Sequence, residues 1–140
     1  MKKLVVTLFA IVVAGSTFLG LCTDSAQSRP QYLKSFRSMY VKPDSPDGQA
    51  FSALVTEAKC AVCHEPGNDR KLRNRYGKEL AKAFEAENEK NVKDVTKIDA
   101  ALKKVADMHV DPNDQKSPTY DELIKQGKLP GGDPSTGENK

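Results

Sequence analysis

Tryptophan is absent from this sequence, histidine occurs twice and cysteine only three times. Three cysteines are too few for a disulfide framework. Nine glycines and eight prolines in 140 residues exclude collagen-like and low-complexity chains. There is no block of like charge. The 22 basic and 19 acidic residues are interspersed and leave a net charge of +3, so a nucleic-acid polyanion is not the implied partner. Strand-like alternation and internal repeats are also missing. The length is about one domain's worth, which rules out multidomain enzymes and large α/β folds.

The single long apolar run lies at the start. Met1, Lys2 and Lys3 form a basic head, Leu4 to Leu21 is apolar or small throughout, and polar Thr23, Asp24 and Ser25 follow. This pattern reads as a secretory signal peptide over residues 1–25. An uncleaved membrane anchor is the alternative, but eighteen residues is near the lower limit for a span, and Gly15, Ser16, Thr17 and Gly20 dilute it. Small residues before two candidate cleavage points, Thr23-Asp24-Ser25 and Ala26-Gln27-Ser28, leave the site open. Leu19-Gly20-Leu21-Cys22 has the outline of a lipoprotein box, with a bulky Leu21 where a small residue belongs. Cleavage removes Lys2, Lys3, Asp24 and Cys22, leaving 20 basic and 18 acidic residues and two cysteines. The expected location is the periplasm or beyond, membrane-tethered if the signal is retained.

Helical spacing dominates the remainder. Tyr32, Phe36 and Tyr40 share one face of a helix within residues 27–42. Pro43, Pro46 and Gly48 break the chain, with Asp44 and Asp47 in the turn. From Gln49 a second helix, marked by Phe51, Leu54, Val55, Ala58 and Val62, runs into Cys60-Ala61-Val62-Cys63-His64 and stops at Pro66-Gly67. A basic loop follows, with Arg70, Lys71, Arg73 and Arg75. A third helix opens at Gly77 with Leu80, Ala81 and Phe84 on its face, and Asn74 is placed to cap it. Asn88 to Asn91 read as a solvated connection. A fourth helix spans about Val92 to Val110, its stripe made by Val95, Ile98, Leu102 and Val105, with Asp111-Pro112 ending it. Tyr120 to Gln126 form a last short helix closed by Gly127. Residues 131–140 are expected to be a disordered tail. The fold class is all-α, with four to five short helices.

Cys60-x-x-Cys63-His64 is the attachment signature for c-type haem. Two thiols one helical turn apart can both reach the vinyl groups on one edge of the porphyrin, and the adjacent imidazole then lies under the ring to ligate the iron. A covalent cofactor also supplies core that about 115 residues alone would lack. A thioredoxin-like redox pair would need a βαβ context. A zinc site would need a fourth ligand, for which His109 is the remaining histidine. A Cys60–Cys63 disulfide would close a tight loop.

With this motif at the end of an amphipathic helix, the chain resembles the c-type cytochromes, in particular small exported monohaem cytochromes of planctomycete-like bacteria. The aromatic leader, Arg73-Asn74-Arg75-Tyr76-Gly77 and the ending Ile124-Lys125-Gln126-Gly127-Lys128-Leu129-Pro130-Gly131 carry the likeness over about residues 31–131. It implies an N-terminal helical extension at 26–48 and a cytochrome c-like domain at 49–130 folded around one haem c and its iron. Cys60 and Cys63 would form the thioethers and His64 the proximal ligand. One departure stands out. Class I cytochromes orient the proximal histidine with a proline carbonyl downstream, and this chain has no proline between Pro66 and Pro112. Some other acceptor must fix the tautomer of His64.

Axial ligation decides between electron transfer and small-molecule binding. Met108 and His109 follow His64 by 44 and 45 residues, a distance at which many small cytochromes place their distal methionine. Met108 is the first candidate and His109 the alternative, since a regular helix to that point would turn His109 inward. Met39 belongs with Tyr32, Phe36 and Tyr40 in packing. Arg70, Lys71, Arg73 and Arg75 suit haem propionates, an acidic redox partner or plain solvation, and Tyr76 suits a propionate or the core. The expected function is single-electron transfer between periplasmic redox proteins, without substrate chemistry, nucleic acid or stable membrane insertion. A gas-binding sensor or a peroxidase-like enzyme with an open sixth position is the alternative, and a zinc module on Cys60, Cys63, His64 and His109 is a third.

Overall fold

The computed structural model describes residues 30–66, 72–86 and 92–135. The expected export signal, Arg70, Lys71, the expected connection at 88–91 and the chain end from 136 lie outside the described residues. Five helices are present: α1 Pro30–Tyr40, α2 Pro46–Ala58, α3 Arg75–Glu85, α4 Val95–Ala106 and α5 Tyr120–Lys125. A 3-10 turn, Lys59–Val62, follows α2 directly. The described residues contain no strand beyond two isolated bridges, His64–Arg73 and His109–Thr119. The class is all-α, as expected. None of the described helices is long and apolar enough to cross a membrane.

Helix α4 is the hub, packing against α1, α3 and α5. Its inward face is Ile98, Ala101, Leu102, Val105 and Ala106, all buried. Val95, the first residue of the expected stripe, is instead 54% exposed, because the helix begins there. Asp94 caps it by accepting from the Thr96 amide at 2.9 Å, and buried Val92 precedes the cap. The helix also ends earlier than the apolar spacing implied. At Met108 the amide donates to Val105 O at 3.0 Å, one residue short of the α pattern. Beyond it, Val110 N–H donates to Pro118 O at 2.9 Å and the chain reverses. Residues 107–110 therefore lie off the helix.

Aromatic rings join the layers. Phe36 of α1 lies 5.1 Å from Tyr40, 6.4 Å from Phe51 of α2 and 6.1 Å from Tyr76 of α3. Tyr76 continues the chain of rings to Tyr120 of α5 at 5.2 Å. Tyr32 meets Phe84 edge-on at 5.3 Å. Edge-to-face pairs of this kind add to the area they bury. Helix α1, expected as an extension before the haem domain, thus contributes Phe36 to the same core as the later helices. One of its phenols also ties into α4, since Tyr40 donates to Leu102 O at 3.2 Å. Met39 packs at the edge of that cluster.

Capping sets the other helix starts. Ser45 accepts from the Gly48 amide at 3.1 Å, with Pro46 in the first turn, so α2 begins three residues before Gln49. Thr119 and Glu122 form a capping box on α5, and Gly127 follows that helix at φ +71°.

Leu102 is 1% exposed at the centre of α4. Leu102→Ala should cost about 3 kcal/mol and lower Tm by roughly 15 °C. A thermal melt read by far-UV circular dichroism checks this, and a loss under a third of that size would mean α4 is not the hub.

Candidate functional site

Helix α2 does not run into the cysteine motif. It stops at Ala58 because Lys59 adopts φ 48° and ψ −110°, a backbone conformation that L side chains disfavour. The chain then tightens into the 3-10 turn. Two amides converge on Cys60 O, from Cys63 at 3.2 Å and His64 at 2.9 Å. This winds both cysteines and the histidine onto one turn, which buried Val62 pins to the core. Cys60 is exposed, Cys63 and His64 are half-buried, and the two thiols are not bridged. Burial pushes the Cys63 thiol up to about 12, with a smaller contribution from Cys60.

A second segment, Leu72 to Gly77, lies against this turn. Leu72 O accepts from the Glu65 amide at 3.0 Å and from His64 Nδ1 at 3.3 Å. A carbonyl has no proton to give, so this contact requires Nδ1–H and puts the lone pair of the neutral imidazole on Nε2. The Leu72 carbonyl is thus an acceptor for the His64 ring in a stretch without a downstream proline. Asn74, fully buried, is the next anchor. Its backbone N–H donates to Cys63 O at 3.2 Å. Its side-chain Nδ2 donates to Ala61 O at 2.9 Å, Val62 O at 3.2 Å and His64 O at 3.4 Å. Its Oδ1 accepts from the Gly77 amide at 2.9 Å, capping α3 as expected, although the helix starts at Arg75. Gly77 is there because the backbones touch: a Cβ on it would sit 1.9 Å from Cys63 O.

Tyr76 stands behind the turn. It is fully buried and closes the core against Phe36 and Tyr120. The hydroxyls of Tyr76 and Tyr120 are buried without a hydrogen-bond partner among the described residues. Burial raises the phenols of Tyr40 and Tyr120 to about 12 and carries that of Tyr76 well above its ordinary value. Nearby groups add to this, chiefly Asp121 for Tyr40, Cys63 for Tyr76 and Glu79 for Tyr120.

The two expected distal candidates fall on the segment after α4. Met108 is 40% exposed. The inward turn of His109 that a longer helix would have given is not realised, yet His109 is half-buried. Its Nδ1 lies 2.6 Å from Ser117 O, which fixes the same tautomer as in His64. Ser117 is held in turn by a loop closed on Asp111 and Asp114. No group of three or more His, Cys, Asp or Glu among the described residues is placed to hold a metal ion, so the zinc arrangement on Cys60, Cys63, His64 and His109 is not assembled. Of the basic loop, Arg73 and Arg75 are exposed. Gly131, assigned to the tail, is buried against Asn74. Sequence reasoning missed Leu72, whose role is played by a carbonyl that every residue carries. It also missed the inward half of Asn74, of which the Asn74-x-x-Gly77 spacing shows only the cap.

Gly77→Ala should cost about 2 kcal/mol, because backbone meets backbone and neither can move aside cheaply; urea denaturation would detect it, and an unchanged midpoint would refute the close approach. The phenols give a second expectation. Their raised folded values mean their contribution to stability is complete below about 10 and is lost as pH rises toward about 12. Phenolate absorbance of Tyr40, Tyr76 and Tyr120 should rise together with loss of helical signal in that window. Early ionisation in a folded chain would show that these rings are open to water.

Comparison with protein-family models, curated proteins and solved structures yields no match for this chain.

Proposed function

We propose that the chain is a c-type cytochrome that carries single electrons between exported redox partners. Thioethers at Cys60 and Cys63 would hold one haem c, with His64 as the proximal iron ligand. The observation that carries this reading is the Nδ1–H of His64 on Leu72 O, 3.3 Å away. Ligating histidines almost always donate their second ring nitrogen in this way, which fixes the ring and leaves the other nitrogen to the metal. The donor set fits the group in two further respects. Both thiols are unbridged on a single turn with Cys60 exposed, and an orphaned buried hydroxyl, that of Tyr76, lies close enough to Cys63 for the thiol to perturb it. When bound, the iron supplies a reversible one-electron couple. The chain's own residues hold the imidazole ring fixed through the Nδ1 contact with Leu72 O. Leu72 offers a neutral acceptor in place of the carboxylate that would push charge onto the ring, which favours an electron carrier over a peroxidase-like enzyme.

For the sixth position we rank His109 ahead of Met108. His109 Nδ1 is held by Ser117 O at 2.6 Å, leaving its lone pair on Nε2, whereas the Met108 side chain reaches solvent. Two histidines would give a lower potential than a histidine–methionine pair. That same exposure of Met108 favours the second reading, a gas-binding sensor with an open sixth position.

Expression in a periplasm that matures c-type haem, followed by ferric and reduced spectra with and without carbon monoxide, tests both. A low-spin spectrum unaffected by carbon monoxide, turned high-spin by His109→Ala and unchanged by Met108→Ala, is the expected result. A carbon monoxide-sensitive wild type would replace the carrier with the sensor. Covalent haem should be retained in the wild type and lost in the Cys60→Ser, Cys63→Ser pair, and its absence from the wild type would overturn the proposal.

A further inference from the structure

Four successive carbonyls, those of Ala61, Val62, Cys63 and His64, all accept from Asn74. The cap on α3 uses only Oδ1 of this side chain. The amide nitrogen faces the other way, into the turn, and shares two protons among three of those carbonyls. Two residues upstream, Leu72 O takes the Glu65 amide and His64 Nδ1. The segment 72–74 is thus fastened to residues 61–65 at both ends, once through Leu72 and once through Asn74. Gly131 closes the arrangement from outside: a Cβ there would sit 2.0 Å from Asn74 Nδ2 and 2.9 Å from Val62 O.

We propose that Asn74 is a positioning residue for His64. Its amide holds the peptide groups of the cysteine turn, and through them keeps the imidazole on Leu72 O. A helix cap alone would need an acceptor, which serine or aspartate also supplies. The buried donor face is what asparagine adds. This role rests on the proposed iron ligation for its consequence, but the geometry it controls, the tautomer of His64, exists in the chain with or without cofactor.

The test uses Asn74→Ser, which keeps a cap acceptor and loses the donors, beside Asp94→Ala, which removes the exposed cap on α4. Nitrogen-15 shifts of the His64 ring, recorded where the imidazole is neutral, report the tautomer in the haem-free chain. Wild type and Asp94→Ala should show the proton on Nδ1, and Asn74→Ser a mixture with at least several-fold more Nε2–H form. In the haem-loaded proteins the ferric electron-paramagnetic resonance signal should change in Asn74→Ser and not in Asp94→Ala. Should Asn74→Ser fail to fold, Gly131→Ala crowds the same amide while sparing the cap, and should shift the His64 ring in the same direction. An Nδ1–H tautomer retained in whichever of these variants folds would reduce Asn74 to a cap and overturn the proposal. Failure of haem attachment in the wild type would instead strike the cytochrome assignment, leaving the tautomer result to stand by itself.

Discussion

A peptide carbonyl withdrawn from water must find a donor, and a tight turn pressed onto a core withdraws several at once. Here residues 61–64 present four carbonyls in succession and one side chain with its own backbone answers all of them. The rest of the site follows from that constraint. The donor has to be small, planar and able to give two protons while accepting elsewhere, which is the chemistry of an asparagine amide. Because the acceptor end caps α3, that helix must start beside the turn. Because the two backbones touch, residue 77 must be glycine. The aromatic core then attaches through Tyr76, one position before Gly77, and passes through Phe36 to α1 and through Tyr120 to α5.

The electrostatic character of the site is neutral. Both histidines rest on backbone carbonyls rather than carboxylates, and the thiol and phenols nearest the core are held in their uncharged forms by burial. Charged residues such as Lys78 and Glu65 stay at the rim, 3.8 Å apart and partly exposed, where an ion pair adds little.

The all-α class, the faces of α1 and α3, the cap at Asn74 and the closure at Gly127 were legible from spacing and capping chemistry. Helix limits were less so, and each miss has a local cause. Apolar residues at Val95 and Val110 extend the stripe of α4 on paper, but Asp94 captures the Thr96 amide and Val110 bonds to Pro118 O. The spacing of Val55, Ala58 and Val62 matches a continuous helix, yet Lys59 interrupts it with a positive φ that no residue type announced. At the site, the cysteines and histidine stand out in the sequence because their side chains are distinctive. The acceptor for His64 could not, since a main-chain carbonyl leaves no mark in the sequence. Gly131 was unreadable for a related reason: between Pro130 and Gly132 its lack of a side chain looks like tail composition, when it marks a place where two parts of the chain nearly touch.

That contact between Gly131 and Asn74 joins residues far apart in the order of synthesis. Cys60, Cys63 and His64 emerge from a ribosome or a translocation channel some seventy residues before the glycine that covers their anchor. Until that point the Asn74 amide is open on one side, and the turn it holds is accessible to water and to other proteins. The cysteine turn gains this cover only when the last described segment of the chain is in place. A chain shortened to residue 129 would keep every residue of the motif, every helix and the whole aromatic core, but would lack the cover that completes them.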